Sequence, residues 1–128
     1  KLDLWIEKRR HLARLYHEGL EKYVAMQWLR VPEFKLGHSW QSYMIVLEAD
    51  VNRMKVIQDL KELGVEANIG AQCLSMIPSI SKLCTTNELK VSQEIGLKGL
   101  ALPMCEQYSE KQINQVIKSV AEVIRQQL

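Results

Sequence analysis

A chain of 128 residues with 47% hydrophobic side chains is long enough to bury a modest core as one ordinary domain or a piece of one. Its 17 basic and 15 acidic residues are mixed along the chain and leave a net charge of +2, which excludes the electrostatic footprint of a nucleic-acid binder. No apolar run approaches the roughly 20 residues of a membrane span, and "KLDLWIEKRR" does not resemble a signal peptide, so a cytoplasmic protein with no membrane partner is expected.

The first stretch, "KLDLWIEKRRHLARLYHEGLEKYV", is periodic from its first residue. Leu2, Trp5, Leu12, Tyr16, Leu20 and Tyr23 fall three, four or seven apart, which places them on one helical stripe. The helix has no N-cap and the chain does not begin with methionine, so a fragment that opens inside a helix is expected. The run Lys8, Arg9, Arg10, His11 reads as the solvated face of this helix rather than a phosphate patch.

After the turn-rich "VPEFKLGHSW" comes "SYMIVLEA", Ser42 to Ala49, a nearly continuous apolar run of strand length that predicts a strand covered on both faces. "DVNRMKVIQDLKELG" predicts a helix with Asp50 or Asn52 as N-cap, Met54, Ile57 and Leu60 on its buried face, and Gly64 as the left-handed residue that ends it. "VEANIG" follows as a short strand.

The passage "AQCLSMIPSISKLCTTNELKVSQEIGLKG" reads as irregular or partly helical, with Pro78 interrupting any continuous helix. Its neighbourhood is unusual, because Ala67 to Ser81 carries no charge at all, which predicts a dry surface against it. Cys73, Cys84 and Cys105 form no Cys-x-x-Cys pair and read as reduced, mostly buried side chains, with no metal site. "LALPM" predicts a last short strand stopped by Pro103. Ser109 and Gln112 then form a capping box, and Ile113, Val116, Ile117, Val120, Ile124 and Leu128 make a helical stripe that must dock on the sheet. The order of elements predicts an α/β fold, a two-layer sandwich of a small mixed sheet with helices on one side.

Four stretches, in order and spanning nearly the whole chain, resemble the DegT/DnrJ/StrS family of sugar aminotransferases. The opening helix matches through Leu2, Asp3, Trp5, Ile6, Arg9, Arg10, Ala13, Tyr16 and Leu20. "HSWQSYMIVL" resembles that family's first small-domain strand, "NRMKVIQDLKELGVEA" its helix and glycine turn, and "LALPMCEQYSEKQINQVI" its closing leucine-proline strand and capped helix. The resemblance implies the C-terminal small domain of the aspartate aminotransferase fold over residues 1–128, with residues 1–24 as the inter-domain helix. It further implies a parent enzyme that uses pyridoxal phosphate to move an amino group from an amino-acid donor such as glutamate onto a nucleotide-linked keto sugar, as a homodimer with an N-terminal large domain.

Such chemistry needs a Schiff-base lysine, an acid for the pyridinium nitrogen, a ring on the cofactor face and phosphate donors. The resemblance places these upstream of Lys1, so no catalytic or cofactor-binding residue is expected here, and Lys82 and Lys98 read as surface charges. The Ser-x-x-Lys of Ser79 to Lys82 lacks its companion motifs and reads as coincidence.

In the resembled family the uncharged segment often carries a histidine-tyrosine pair, a second histidine and a final proline-tyrosine at the active-site mouth. Gly70 and Ala71 stand at the pair, Ser75 at the second histidine, and Pro78 with Ile80 at the end. The departure leaves Asn68, Gln72, Ser75 and His38 as candidate substrate-binding residues, with Asn68 and Gln72 offering amide hydrogen bonds to a sugar nucleotide. The competing readings are that Asn68 and Gln72 satisfy local backbone groups, that His38 is a half-exposed loop histidine, and that Trp40 and Tyr43 are core or interface aromatics. At the level of the whole chain the rival is a stand-alone α/β regulatory or ligand-binding module without enzymatic activity.

Overall fold

The computed structural model describes residues 1–84 and 89–128. The periodic opening folds as helix α1 (Leu2–Ala25), whose buried stripe is Leu12, Ala13, Tyr16 and Leu20. Leu2 and Trp5, expected on that stripe, are exposed, because none of the described residues covers the first turn. The basic run is only partly solvated: Lys8 and His11 are exposed, whereas Arg9 is half-buried and paired with Glu106.

Strand β1 (Leu29–Arg30) was not legible, since two residues are too few to show alternation. It pairs with β2 (Tyr43–Leu47), Leu29 opposite Leu47, and β2 pairs with β3 (Gly99–Leu102), Tyr43 opposite Leu102 and Ile45 opposite Leu100. Both pairings are antiparallel, so the sheet β1-β2-β3 is not mixed as expected. The order of elements does not set strand direction. The chain leaving the second helix is not a parallel neighbour of β2; it meets only the far edge of β3, through an antiparallel bridge between Asn68 and Ala101, and this bridge is all there is of the strand expected in "VEANIG".

Along β2 the side chains alternate: Tyr43, Ile45 and Leu47 are buried and Met44 and Val46 half-buried. The apolar run therefore has one fully covered face rather than two. That face receives α1, α2 (Arg53–Glu62) and, at the end of the chain, α5 (Glu110–Gln127). The Asn52 side chain caps α2 by accepting from the Lys55 amide at 3.0 Å, and Gly64, at φ +76°, ends it. Val56 and Leu60 are its buried residues while Met54 is exposed. Leu60 belongs to two possible stripes, and packing against α5 selects the one that contains Val56.

The passage between Ala71 and Lys98 contains a single 3-10 turn (Leu74–Met76), the short α3 (Pro78–Ser81) and α4 (Lys90–Lys98); residues 85–88 of it lie outside the described residues. Cys73 is buried, and Cys84 and Cys105 only half so.

Helix α5 starts at the expected capping box, the Ser109 amide donating to Gln112 Oε1 at 2.8 Å and the Gln112 amide to Ser109 Oγ at 3.3 Å. Ile113, Val116, Ile117, Val120 and Ile124 are buried as expected, and Leu128, past the last turn, is exposed. Contact with α1 is close enough that a Cβ on Gly19 would stand 2.5 Å from Ile117 Cδ1.

Candidate functional site

The uncharged segment is not core. From Ala67 to Ser81 only Cys73 is buried. Leu74, Met76, Leu83, Val91 and Leu97 are exposed on the same passage, Leu83 by 79% of its surface. The dry partner expected for this segment is thus not supplied by the described residues themselves.

Residues 68–73 are nonetheless held firmly. The Asn68 amide donates to the Ala101 carbonyl at 3.0 Å and the Ala101 amide returns to Asn68 at 2.8 Å, extending the β3 edge by one residue. Gly70, at φ +76°, lies against Met44 on the face of β2 turned away from the main core; a Cβ there would meet Met44 Sδ at 2.5 Å. Arg53 Nη1 donates to the carbonyls of Gly96 at 2.7 Å and Gly99 at 3.2 Å and makes a longer contact, 3.5 Å, with that of Ile69. Gly96 is one of the last residues of α4, whose carbonyls have no partner in the helix, so the guanidinium there satisfies an orphan acceptor.

The four candidate residues fall in two places. Asn68 and Gln72 are exposed, and Ser75 is half-buried, along the segment beyond β3. The Asn68 side chain accepts from its neighbour, the Ile69 amide, at 2.7 Å, which is the local role weighed against substrate binding. Ser75 Oγ lies 3.1 Å from Cys73 Sγ. His38 is exposed, and its Nδ1 accepts from the Trp40 amide at 2.9 Å, where Trp40 has φ +50°. Among the described residues no hydrogen bond joins any two of the four.

Trp40 and Tyr43 are core aromatics, stacked at 5.7 Å between ring centroids. They surround a residue that the sequence did not single out. His17 places Nδ1 2.8 Å from the Ala13 carbonyl, Nε2 2.7 Å from the Pro32 carbonyl, and lies edge-on to Phe34, Trp40 and Tyr43. It pins the 31–40 strap to α1. Arg53 and Gly96 were missed because Arg53 acts on main-chain carbonyls far away in sequence and Gly96 acts by lacking a Cβ where Cys73 packs, and no spacing rule reports such contacts.

The resemblance implies a cofactor held by a lysine. Every lysine, Lys82 and Lys98 included, is exposed. A Schiff-base lysine needs a desolvating pocket to be nucleophilic at neutral pH, so the residues present do not fit pyridoxal phosphate.

The family model of the DegT/DnrJ/EryC1/StrS aminotransferases matches residues 1–121. The chain belongs to this family. Among DegT/DnrJ/EryC1/StrS relatives, it is 28% identical over 122 residues to the GDP-perosamine synthase of Caulobacter vibrioides, covering 94% of this chain and 30% of that protein. The fold is shared with the aminotransferase TlmJ from Streptoalloteichus hindustanus (TM-score 0.79, 22% identity, 98% of this chain and 33% of that one). It is shared equally with NtdA from Bacillus subtilis, solved with bound cofactor PMP (TM-score 0.79, 21% identity, 95% of this chain and 29% of that one). The α/β reading is therefore that of the aminotransferases. The chain spans about a third of the length of the relatives it matches. Among the described residues no helix is long and apolar enough to cross a membrane.

Proposed function

We propose that residues 1–128 are the C-terminal small domain of a cytoplasmic, homodimeric aminotransferase that uses pyridoxal phosphate to aminate a nucleotide-linked keto sugar. The domain does not catalyse by itself. Its α1 is the helix that connects to an N-terminal large domain, and that domain supplies the lysine, the cofactor pocket and the acid. The observation that carries this reading is the pairing of a family match over nearly all of this chain with coverage of about a third of each relative. The exposed apolar side chains of Leu74, Met76, Leu83, Val91 and Leu97 agree with it.

On this reading the exposed apolar side chains lie against the large domain, and the uncharged segment is uncharged because water leaves it on assembly. Gln72, Asn68 and Ser75 then line the mouth through which the sugar nucleotide enters, and His38, on the 31–40 strap, stands apart from them. An uncharged amide suits a sugar hydroxyl, which both donates and accepts.

The test uses the full-length protein run in reverse, with 2-oxoglutarate as acceptor and GDP-perosamine as the first nucleotide-linked amino sugar. Glutamate should form with the full-length protein and not with residues 1–128 alone. Amino transfer only between free amino acids would overturn the sugar assignment. A start codon or a linker directly before Lys1 would instead favour the stand-alone module.

A further inference from the structure

The segment that carries Gln72 is anchored at three points, one on β3 and two at the end of α4. Upstream, Asn68 is fixed to Ala101 by two main-chain hydrogen bonds of 3.0 and 2.8 Å. In the middle, Arg53 links Ile69 to Gly96 and Gly99, and all of its acceptors among the described residues are main-chain carbonyls. Downstream, Cys73 sits directly on Gly96: a Cβ at 96 would lie 2.8 Å from Cys73 Cβ and 3.2 Å from its amide nitrogen. The missing side chain at 96 therefore sets how closely Cys73 approaches the end of α4.

We infer that Arg53 and Gly96 are positioning residues for the nucleotide-sugar substrate, acting by seating residues 69–73 on the end of α4 and with them Gln72. The inference rests on the proposed function for its substrate and on these contacts for its geometry. Arg53 acts through main-chain carbonyls. It is a two-way tie: the two N–H groups of Nη1 serve Gly96 and Gly99, with Ile69 at the longer 3.5 Å, and the planar guanidinium holds them in directions that a freely rotating lysine ammonium does not fix. Gly96 acts by absence. Alanine strengthens a helix, so Gly96→Ala should leave α4 intact and move only what lies on it.

Full-length Gly96→Ala and Arg53→Gln proteins separate the two parts. Hydrogen exchange of the amides 69–76 should rise about 10-fold or more in both, while the amides of α5 keep their protection. With GDP-perosamine as the sugar probe, kcat/KM should fall ~10- to 100-fold, as a misplacement of about 1 Å costs, and the loss should lie mainly in KM. The rate with L-glutamate should change less than about twofold, because the donor makes no use of Gln72. Arg53→Lys should recover part of the loss. Cys73→Gly added to Gly96→Ala should recover most of it by removing the colliding Cβ.

Unchanged exchange of residues 69–76 would overturn the anchoring. Equal losses with the sugar and with glutamate would overturn the substrate role, leaving a general effect on domain packing. Should the unaltered protein transform no nucleotide-linked amino sugar, the proposed function and the substrate half of this inference fall together, while the exchange result still decides the anchoring.

Discussion

The Tyr16 hydroxyl donates to the Pro103 carbonyl at 2.7 Å, tying the middle of α1 to the end of β3 across 87 residues of chain. Its ring stacks on Tyr43 with centroids 4.7 Å apart. Proline at 103 stops the strand, and its carbonyl is satisfied from the helix. Tyr16→Phe keeps the stacking and leaves that acceptor unpaired, so it should cost about 1–2 kcal/mol of folding free energy. A denaturation midpoint unchanged from the unsubstituted chain would show that water replaces the hydroxyl.

The same two tyrosines predict an alkaline limit. Burial pushes both phenols well above the ordinary value of 10.0, with each one's tyrosine neighbour, Tyr108 for Tyr16 and Tyr16 for Tyr43, adding to it. The folded state thus holds these protons more tightly than the unfolded state. Their contribution is complete below pH 10 and declines as pH rises beyond it. Thermal unfolding should shift to lower temperature on that side, and less so in Tyr16→Phe. Tyrosinate absorbance from more than two of the four tyrosines before unfolding would contradict the burial.

An acid limit comes from Glu106. A hydrogen bond from its own main-chain amide, followed by the two donors of Arg9 at 2.9 and 3.1 Å, holds its carboxyl below the ordinary value of 4.5. The stabilisation is present above that value and is lost as pH falls through the lower folded-state value. Glu106→Gln should flatten the acid limb of the stability curve, while stability near neutral pH falls only modestly, as for a partly exposed pair. An acid limb identical in both proteins would assign it elsewhere.

The α1–α5 contact predicts a coupled pair. Gly19→Ala would overpack Ile117 Cδ1 at 2.5 Å and should cost about 1–3 kcal/mol. Ile117→Val removes that methyl, so the double substitution should be less damaging than the sum of the two. Strict additivity, measured by chemical denaturation, would mean that the helices move apart instead. Ile117→Asp, which buries an unpaired charge, should abolish folding of the chain.

On the proposed function, Gln72→Ala in the full-length protein should lower specificity for the sugar by ~5- to 150-fold, the cost of one or two lost hydrogen bonds. The reaction with the amino donor should hardly change, because the two substrates react in separate halves. Parallel losses would return Gln72 to a packing role.

What the sequence determined by itself was local. The Ser109–Gln112 box, the Asn52 cap and the left-handed Gly64 each involve residues within a few positions of one another, and the α5 stripe repeats often enough to fix its buried face. The family was legible because four such local patterns occur in order. The tertiary structure decided the rest. The antiparallel direction of the sheet, the exposure of Met54 and Leu128, and the two-residue β1 depend on partners far off in the chain. So do the contacts that hold the candidate site. Arg53 meets Gly96 across 43 residues and Gly96 receives Cys73 through a side chain that is missing. Main-chain acceptors and absent Cβ atoms leave no pattern in the order of residues, and only packing makes them neighbours.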